Sequence, residues 1–369
     1  MRGNGVSSAV TSLRSRLIGE GIDVRLLACE NPEEGGMQPD YPLPHFVFPI
    51  FEPIIKANGY RYPKLPKSVI REAVGWADVV HLMEGFPLQA TTVKMAKELN
   101  KPCVGTYHIF TENITANLGL SDGTIINKLV NIWWRSSVYN HCASVQCPTE
   151  TVKRHLVENG YSAPLRVISN GIVLHDVPTD AEEPQTTPYR ILCIGRLSNE
   201  KSQQTLIKAM RHSAHAHEIA LHFAGNGPKA KKIMKAAQRL VKDGVVTHEP
   251  VFGFYSAEEL RALARTSYLY VHCARTEVEG LSCLEAIQQG TVPVIAQSKL
   301  SATHQFALDE RSLFPVNDAK ALAEKIDWWI EHPTERKAMS KRYAESAKRY
   351  DISESTRQII TMYEEALQR

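Results

Sequence analysis

The chain has 369 residues, 43% hydrophobic and 22% charged, with a formal net charge of only +3. The length calls for two domains rather than one core, and the composition is that of a globular protein. The weak charge, with no basic stripe interleaved with aromatics, argues against a nucleic-acid partner. No apolar run approaches the ~20 residues of a membrane span, and the first twenty residues lack the apolar centre of a signal peptide. The seven cysteines are scattered, with no zinc spacing, and read as buried reduced thiols of a cytosolic protein.

In chain order, short β-rich runs alternate with helix-period segments. The first half offers strands at 22–28, 78–83, 102–107, 144–147 and 165–168. Helices are expected at 5–19, 68–76, 89–99, 124–139 and 150–159. The segment 173–188, polar and Pro-rich, reads as a linker. The second half repeats the scheme, with strands at 190–194, 220–223, 245–248, 268–272 and 292–296. Its helices are expected at 203–211, 229–241, 257–264, 284–289 and 319–330. Two helices close the chain, 335–350 and 353–368, with Ser353 as N-cap of the second. Alternation of this kind predicts an α/β protein of two Rossmann-like, doubly wound parallel-sheet domains, with a ligand cleft between them.

The densest chemistry lies in RTEVEGLSCLEAIQQG, 275–290. Glu277 is expected at the carboxyl end of a strand and Glu285 in the first turn of the next helix, the edge where open α/β sheets bind ligands. Between them, the backbone N–H groups near Gly280, Leu281 and Ser282 offer an anion site. One carboxylate on each side of such a site can hold two polyols across a phosphate, as a sugar nucleotide requires. Upstream, YRILCIGRLSNEK ends a strand at Gly195 and brings Arg196 and Lys201 to the same edge, two cations able to converge on a diphosphate. The turn 224–228, AGNGP, lacks the glycine spacing of a dinucleotide fingerprint. In the first half, TYHIFTENI places His108 after a strand, with Glu112 and Asn113 in the same loop.

Glu277 and Glu285 at E-x₇-E spacing, the Gly195-Arg196…Glu200-Lys201 segment and the Gly-x-Gly-Pro turn together resemble the family 4 retaining glycosyltransferases, of GT-B fold. The resemblance covers nearly the whole chain, and the Thr-x-His loop is similar to that of lipid-directed members. It implies a metal-independent enzyme without cofactor that moves a sugar from a nucleoside-diphosphate donor to an acceptor hydroxyl. Arg196 and Lys201 would steady the leaving diphosphate, Glu285 the ribose, Glu277 the transferred sugar, and His108 would orient that sugar from the opposite wall. Gly3, Asn4 and Gly5 resemble the Gly-rich loop near the donor phosphate, and Glu112 and Asn113 are candidates for acceptor contacts. The implied domains are 1–172 on the acceptor side, 189–350 for the nucleotide sugar, and a crossing helix, 351–369, that returns to the first. Family members begin with a strand before the Gly-rich loop, so this chain is expected to lack its first strand, as a truncation or through an upstream start.

The acceptor is expected to be a membrane glycolipid or a cell-envelope polysaccharide precursor, with the enzyme cytoplasmic, at the inner face of the membrane. The segment 128–139, KLVNIWWRSSVY, can rest on an anionic bilayer through Trp133, Trp134 and Arg135, or pack as a core helix. Lys56, Arg61, Lys64, Lys67 and Arg71 form a basic patch, which as a charge run reads as a solvated face. His212, His215 and His217 lack a carboxylate or cysteine at ligand spacing, and read as an exposed helix end. The alternatives are a covalent double displacement with Glu277 as nucleophile, a nucleotide-sugar epimerase of the same fold and an inactive binding homologue.

Overall fold

A computed structural model describes residues 5–31, 38–50, 52–57, 59–117, 125–176, 184 and 187–369. The chain divides into two compact units, Met1–Asn170 with Ile352–Arg369, and Gly171–Asp351.

The first unit opens with α1 (Gly5–Gly19), then β1 (Leu27–Cys29), β2 (Tyr41–Leu43), α2 (Glu52–Ala57) and α3 (Lys67–Trp76). There follow β3 (Val80–Leu82), α4 (Pro87–Glu98), β4 (Cys103–Thr106), α5 (Thr111–Asn117), α6 (Ile125–Ser137), β5 (Ser144–Cys147), α7 (Glu150–Glu158) and β6 (Leu165–Val167). Strands β3 to β6 form a parallel sheet in sequence order, with Leu82 opposite Gly105 and Thr106 opposite Gln146. Strands β1 and β2 make a separate parallel pair.

The second unit holds β7 (Tyr189–Ile194), α8 (Gln204–Ala209), β8 (Ile219–Ala224), α9 (Ala230–Lys242), β9 (Val251–Gly253), α10 (Ala257–Arg265) and β10 (Leu269–His272). After these come β11 (Thr276–Glu277), α11 (Leu281–Gln288), β12 (Val292–Gln297), β13 (Leu300–Ser301), β14 (Leu313–Pro315), α12 (Ala319–Glu331) and α13 (Pro333–Ala347). Its six-stranded sheet is parallel throughout, in the order β14-β12-β10-β7-β8-β9. The chain therefore winds outward from β7 in one direction and then returns to β7's other side with β10. That reversal leaves a crevice beyond the carboxyl ends of β7 and β10, the switch point where such sheets receive ligands. The strands are apolar on both faces, as a sheet covered by helices demands: Ile191, Leu192, Phe223, Leu269, Val271, Val294 and Ile295 are all buried.

The last helix, α14 (Ile352–Leu367), belongs to the first unit, where it packs on α1 and β4. Ile359, Met362 and Ala366 share a core cluster with Leu17, Val104 and Ile168. Tyr363 fixes its register, its hydroxyl 2.7 Å from Nδ1 of His81, whose Nε2 lies 2.7 Å from Oγ1 of Thr106.

Four expectations need correction. Of 22–28 only the end joins a ladder, because β2 pairs with residues 27–29 alone. The β-branched run 245–248 is no strand. Gly244, at φ 67°, ends α9, Val245 N–H closes that turn on Leu240 O, and Val246 plugs the core beneath it. The strand of that region is β9, which pairs with His222–Ala224. α14 starts at Ile352, so Ser353 lies inside the helix. The run 212–217 is no helix end: α8 stops at Ala209, and His215 is paired with Glu218 and Glu331.

Candidate active site

The second unit brings most of the expected residues to one sheet edge. Strand β7 ends at Ile194, and Gly195, at φ 142°, turns the chain so that its N–H donates to Ala224 O at 2.9 Å. A Cβ on Gly225 would lie 2.2 Å from Gly195 O, so these two turns require glycine to meet. Arg196 follows, and its Nη2 donates to Glu200 Oε1 at 2.6 Å. Glu200 is fully buried and also accepts from Ser198 Oγ at 2.7 Å. A buried carboxylate thus aims the guanidinium, while Gln203 Nε2 holds Arg196 O at 2.8 Å.

Lys201 reaches across to β11, where its Nζ donates to Oε2 of Glu277. The same oxygen lies 3.7 Å from Nε2 of His272, at the end of β10. Burial alone would raise the Glu277 pKa, but Lys201, His272 and Arg196 hold it below the ordinary carboxylate range. It is therefore a carboxylate at neutral pH. His272 is only 2% exposed, and burial drives its pKa down to about 4, so it is neutral.

After Glu277 the chain turns at Gly280, which has φ 93° and caps α11. The helix begins at Leu281, three residues before the expected start, and Glu285 lies in its second turn instead of its first. The sequence signal had been the strong helix formers from 284 on. What starts the helix earlier is Gly280 in a left-handed conformation only glycine adopts cheaply. Leu281 and Ser282 hold the first two helical positions, whose N–H groups have no acceptor within the helix. Glu285 is open to solvent yet set among enough protein that desolvation raises its pKa, with Arg261 offsetting part of the effect.

The remaining expected residues lie in the first unit. His108 follows β4 at its carboxyl end, half-buried, with no partner for Nε2 among the described residues. Burial lowers its pKa to about 4. Glu112 is buried and accepts from Thr111 Oγ1 at 3.0 Å, while Asn113 Oδ1 accepts from Phe110 N–H at 3.0 Å. Both side chains are thus occupied in holding the loop around α5. Gly5 opens α1 with no described atom within 4 Å of where a Cβ would sit, and Gly3 and Asn4 lie outside the described residues.

Sequence reasoning passed over several residues of these edges. From sequence His272 reads only as the end of an apolar strand, and Thr303, from a remote segment, carries no signal. Glu84 lies two residues past the end of β3, one strand over from His108, with Oε1 buried and without a partner among the described residues and a pKa pushed up to about 8 by burial. Its position just past a strand end could have marked it. On α6, Trp134 is core, 1% exposed, packed edge-on to Phe86 and Tyr107. Of the basic patch, Lys56 pairs with Glu52 and Arg71 with Glu98. All seven cysteines are free and buried.

Comparison with known proteins gives these edges a family. Residues 3–176 match Glycosyltransferase Family 4, and residues 179–346 match Glycosyl transferases group 1. An alpha-monoglucosyldiacylglycerol synthase of Streptococcus pneumoniae is 23% identical over 313 residues, 79% of this chain and 68% of that protein. The catalytic domain of the cholesterol-alpha-glucosyltransferase of Helicobacter pylori is 52% identical, covering 44% of this chain and 99% of that one, with a TM-score of 0.42. A sucrose-phosphate synthase of Thermosynechococcus elongatus is 16% identical and superimposes with a TM-score of 0.70 over 98% of this chain and 93% of its own. The chain belongs to the glycosyltransferases of GT-B fold, Family 4 in its first half and group 1 in its second.

Proposed function

We propose that the enzyme transfers a sugar, with retention and without a metal, from a nucleoside diphosphate to a hydroxyl of a membrane lipid or envelope glycan precursor. The observation that carries this reading is the meeting of Arg196, Lys201 and an ionised Glu277 beside the first turn of α11. Two cations and a helix N-terminus stabilise the charge that grows on a departing diphosphate. Glu277 accepts hydrogen bonds from the hydroxyls of the transferred sugar, Glu285 from the ribose, and neutral His108 orients the sugar. Attack on the same face as departure, with a phosphate oxygen taking the acceptor's proton, then needs no protein nucleophile.

The lipid acceptor is supported by the pneumococcal relative, whose name gives it a glucosyldiacylglycerol product. It is also supported by α6, where the usual order of faces is inverted. Asn127, Asn131 and Trp134 are buried, while Ile125, Ile126, Leu129, Ile132 and Trp133 are exposed, Leu129 by 59%. With Lys128 on the same side, this face suits the surface of an anionic bilayer. Among the described residues no helix is long and apolar enough to cross a membrane.

The test supplies radiolabelled UDP-glucose, UDP-N-acetylglucosamine and GDP-mannose, each with anionic vesicles containing diacylglycerol, in excess EDTA. A labelled lipid whose new glycosidic bond keeps the donor's anomeric configuration is the expected result. Loss of transfer on chelation, restored by magnesium, would overturn the metal-independent reading. Interconversion of nucleotide sugars without acceptor would make the protein an epimerase.

A further inference from the structure

Behind Glu277 runs a chain of hydrogen bonds that the proposed chemistry does not use. Ser282 Oγ, in the first turn of α11, lies 3.0 Å from the Tyr270 hydroxyl, which lies 3.1 Å from Nδ1 of His272. Nε2 of His272 lies 3.2 Å from Thr303 Oγ1, which donates to Glu279 O at 3.4 Å. Tyr270, His272 and Thr303 are all buried, so no solvent interrupts the chain.

Counting protons gives it a direction. The Glu277 carboxylate, 3.7 Å from Nε2, favours an N–H on that nitrogen, and Thr303, whose hydroxyl can donate to Glu279 O, then accepts from it. The imidazole, neutral in this site, therefore carries its proton on Nε2, the nitrogen that also faces Glu277. Nδ1 is then an acceptor and takes the Tyr270 proton, and Tyr270 accepts from Ser282. Every donor is used once, and the chain runs from the helix turn to the Glu279 carbonyl, with the Nε2 N–H 3.7 Å from the Glu277 carboxylate on its way.

We propose that Tyr270 and His272 are positioning residues that link occupancy of the α11 anion site to the hold on Glu277. This rests on the reading of that helix turn as the diphosphate site. When an anion takes the Ser282 hydroxyl proton as a hydrogen bond, Tyr270 turns to donate to Ser282. The imidazole releases its Nε2 proton to solvent by way of the Glu277 carboxylate and takes one from solvent at Nδ1 through the Ser282 and Tyr270 hydroxyls, and Thr303 turns from the Glu279 carbonyl to donate to Nε2. One proton leaves as one enters, so the net charge is unchanged. The N–H that faced Glu277 is withdrawn, and the carboxylate is left to Lys201 and the incoming sugar hydroxyls. The groups facing His272 in this account are Tyr270, Glu277, Thr303 and Lys201.

The test is ¹⁵N NMR of histidine-labelled full-length protein, with the His272 signals assigned through His272→Gln, titrated with UDP and separately with GDP. The free protein should show His272 protonated on Nε2, and saturation with a nucleotide that binds should move the proton to Nδ1. Tyr270→Phe should abolish that change and lower kcat about tenfold, the worth of one buried hydrogen bond, with nucleotide affinity held within about twofold. In His272→Leu the acid limb of the kcat/KM profile, which reports the free enzyme, should move to higher pH, because Glu277 loses a group that lowers its pKa. Nucleotide binding with an unchanged tautomer, or Tyr270→Phe with wild-type kcat, overturns the relay while leaving the donor site standing. Failure of both nucleotides to bind, or full transfer by Glu277→Ala, overturns the donor reading and the relay with it.

Discussion

Gly280→Ala tests whether the loop between the two motif glutamates is built as tightly as it looks. The residue has φ 93°, and a Cβ there would sit 2.5 Å from Thr303 Oγ1 and 3.0 Å from its methyl group. Left-handed backbone costs an alanine about 1 to 2 kcal/mol. Thr303 is completely buried and has no room to withdraw, so the clash must break its hydrogen bonds to His272 and Glu279 O. At roughly 0.5 to 1.5 kcal/mol each, the two bonds bring the total to about 2 to 5 kcal/mol. Hydrogen exchange followed by mass spectrometry over residues 269–306 measures the loss locally, which matters in a chain of two units that need not unfold together. The double variant separates the terms. Thr303→Ala removes the hydroxyl and the methyl and leaves only its Cβ at 3.2 Å, so adding Gly280→Ala to it should cost little beyond the backbone share. A coupling of about 1 to 3 kcal/mol between the two sites is expected. Additive effects, or Gly280→Ala within 0.5 kcal/mol of wild type (a threshold taken from ordinary surface substitutions, roughly ±0.5 kcal/mol), would refute the argument from steric contact.

Arg196→Ala and Lys201→Ala should each slow transfer by roughly 10²-fold or more in a protein that still melts cooperatively, since each removes charge opposite the leaving group; near-normal turnover in the folded double variant would remove the clamp. Glu285→Ala should weaken free-nucleotide binding, measured by calorimetry, whereas Glu277→Ala should lower kcat with free-nucleotide affinity retained. The opposite split would mean that the two roles are exchanged. Leu129→Glu with Ile132→Glu on α6 should abolish sedimentation with anionic vesicles and leave the melting temperature unchanged, because both side chains are exposed. Undiminished vesicle binding would place the membrane contact elsewhere.

The parallel architecture was legible because β7, β8, β10 and β12 are short apolar runs between amphipathic helices, and nothing but helices on both faces covers such strands. Where it was not legible, local preference lost to tertiary context. Val245 and Val246 have strand propensity but serve to close and bury the end of α9. Pro42 and Pro44 argue against a strand, yet β2 forms because it pairs on one side only, with β1. At the candidate site, Glu277, Arg196 and Lys201 could be seen because charged residues just after strand ends stand out. Their supports could not. Glu200 reads as an ordinary helix-starting acid and His272 as a strand terminus, and Thr303 meets His272 only through the packing of a segment 31 residues away.

Glu84 makes a last prediction, about pH and stability. It follows β3 at the edge where His108 follows β4, with Oε1 buried and without a partner among the described residues, a hydrogen bond to Tyr60, and a pKa raised from 4.5 to about 8 by burial. An acid whose folded pKa lies above its unfolded one keeps more protons in the native state. Stability is therefore undiminished below about pH 4.5 and falls as pH rises toward 8. At 1.36 kcal/mol per pH unit, the cost at pH 7 has a ceiling of about 3 kcal/mol, and solvent at the half-open side chain reduces it to about 1 to 2. Glu84→Gln keeps the shape, cannot ionise and still bonds Tyr60 through its amide. It should leave stability unchanged at pH 4.5 and raise it progressively to pH 8, as read from urea unfolding across that range. A constant difference at every pH would show that the carboxyl does not titrate in this window. A gain at pH 8 with impaired transfer at pH 7 would mark Glu84 as an acid kept at the sheet edge for its chemistry, at the expense of the fold.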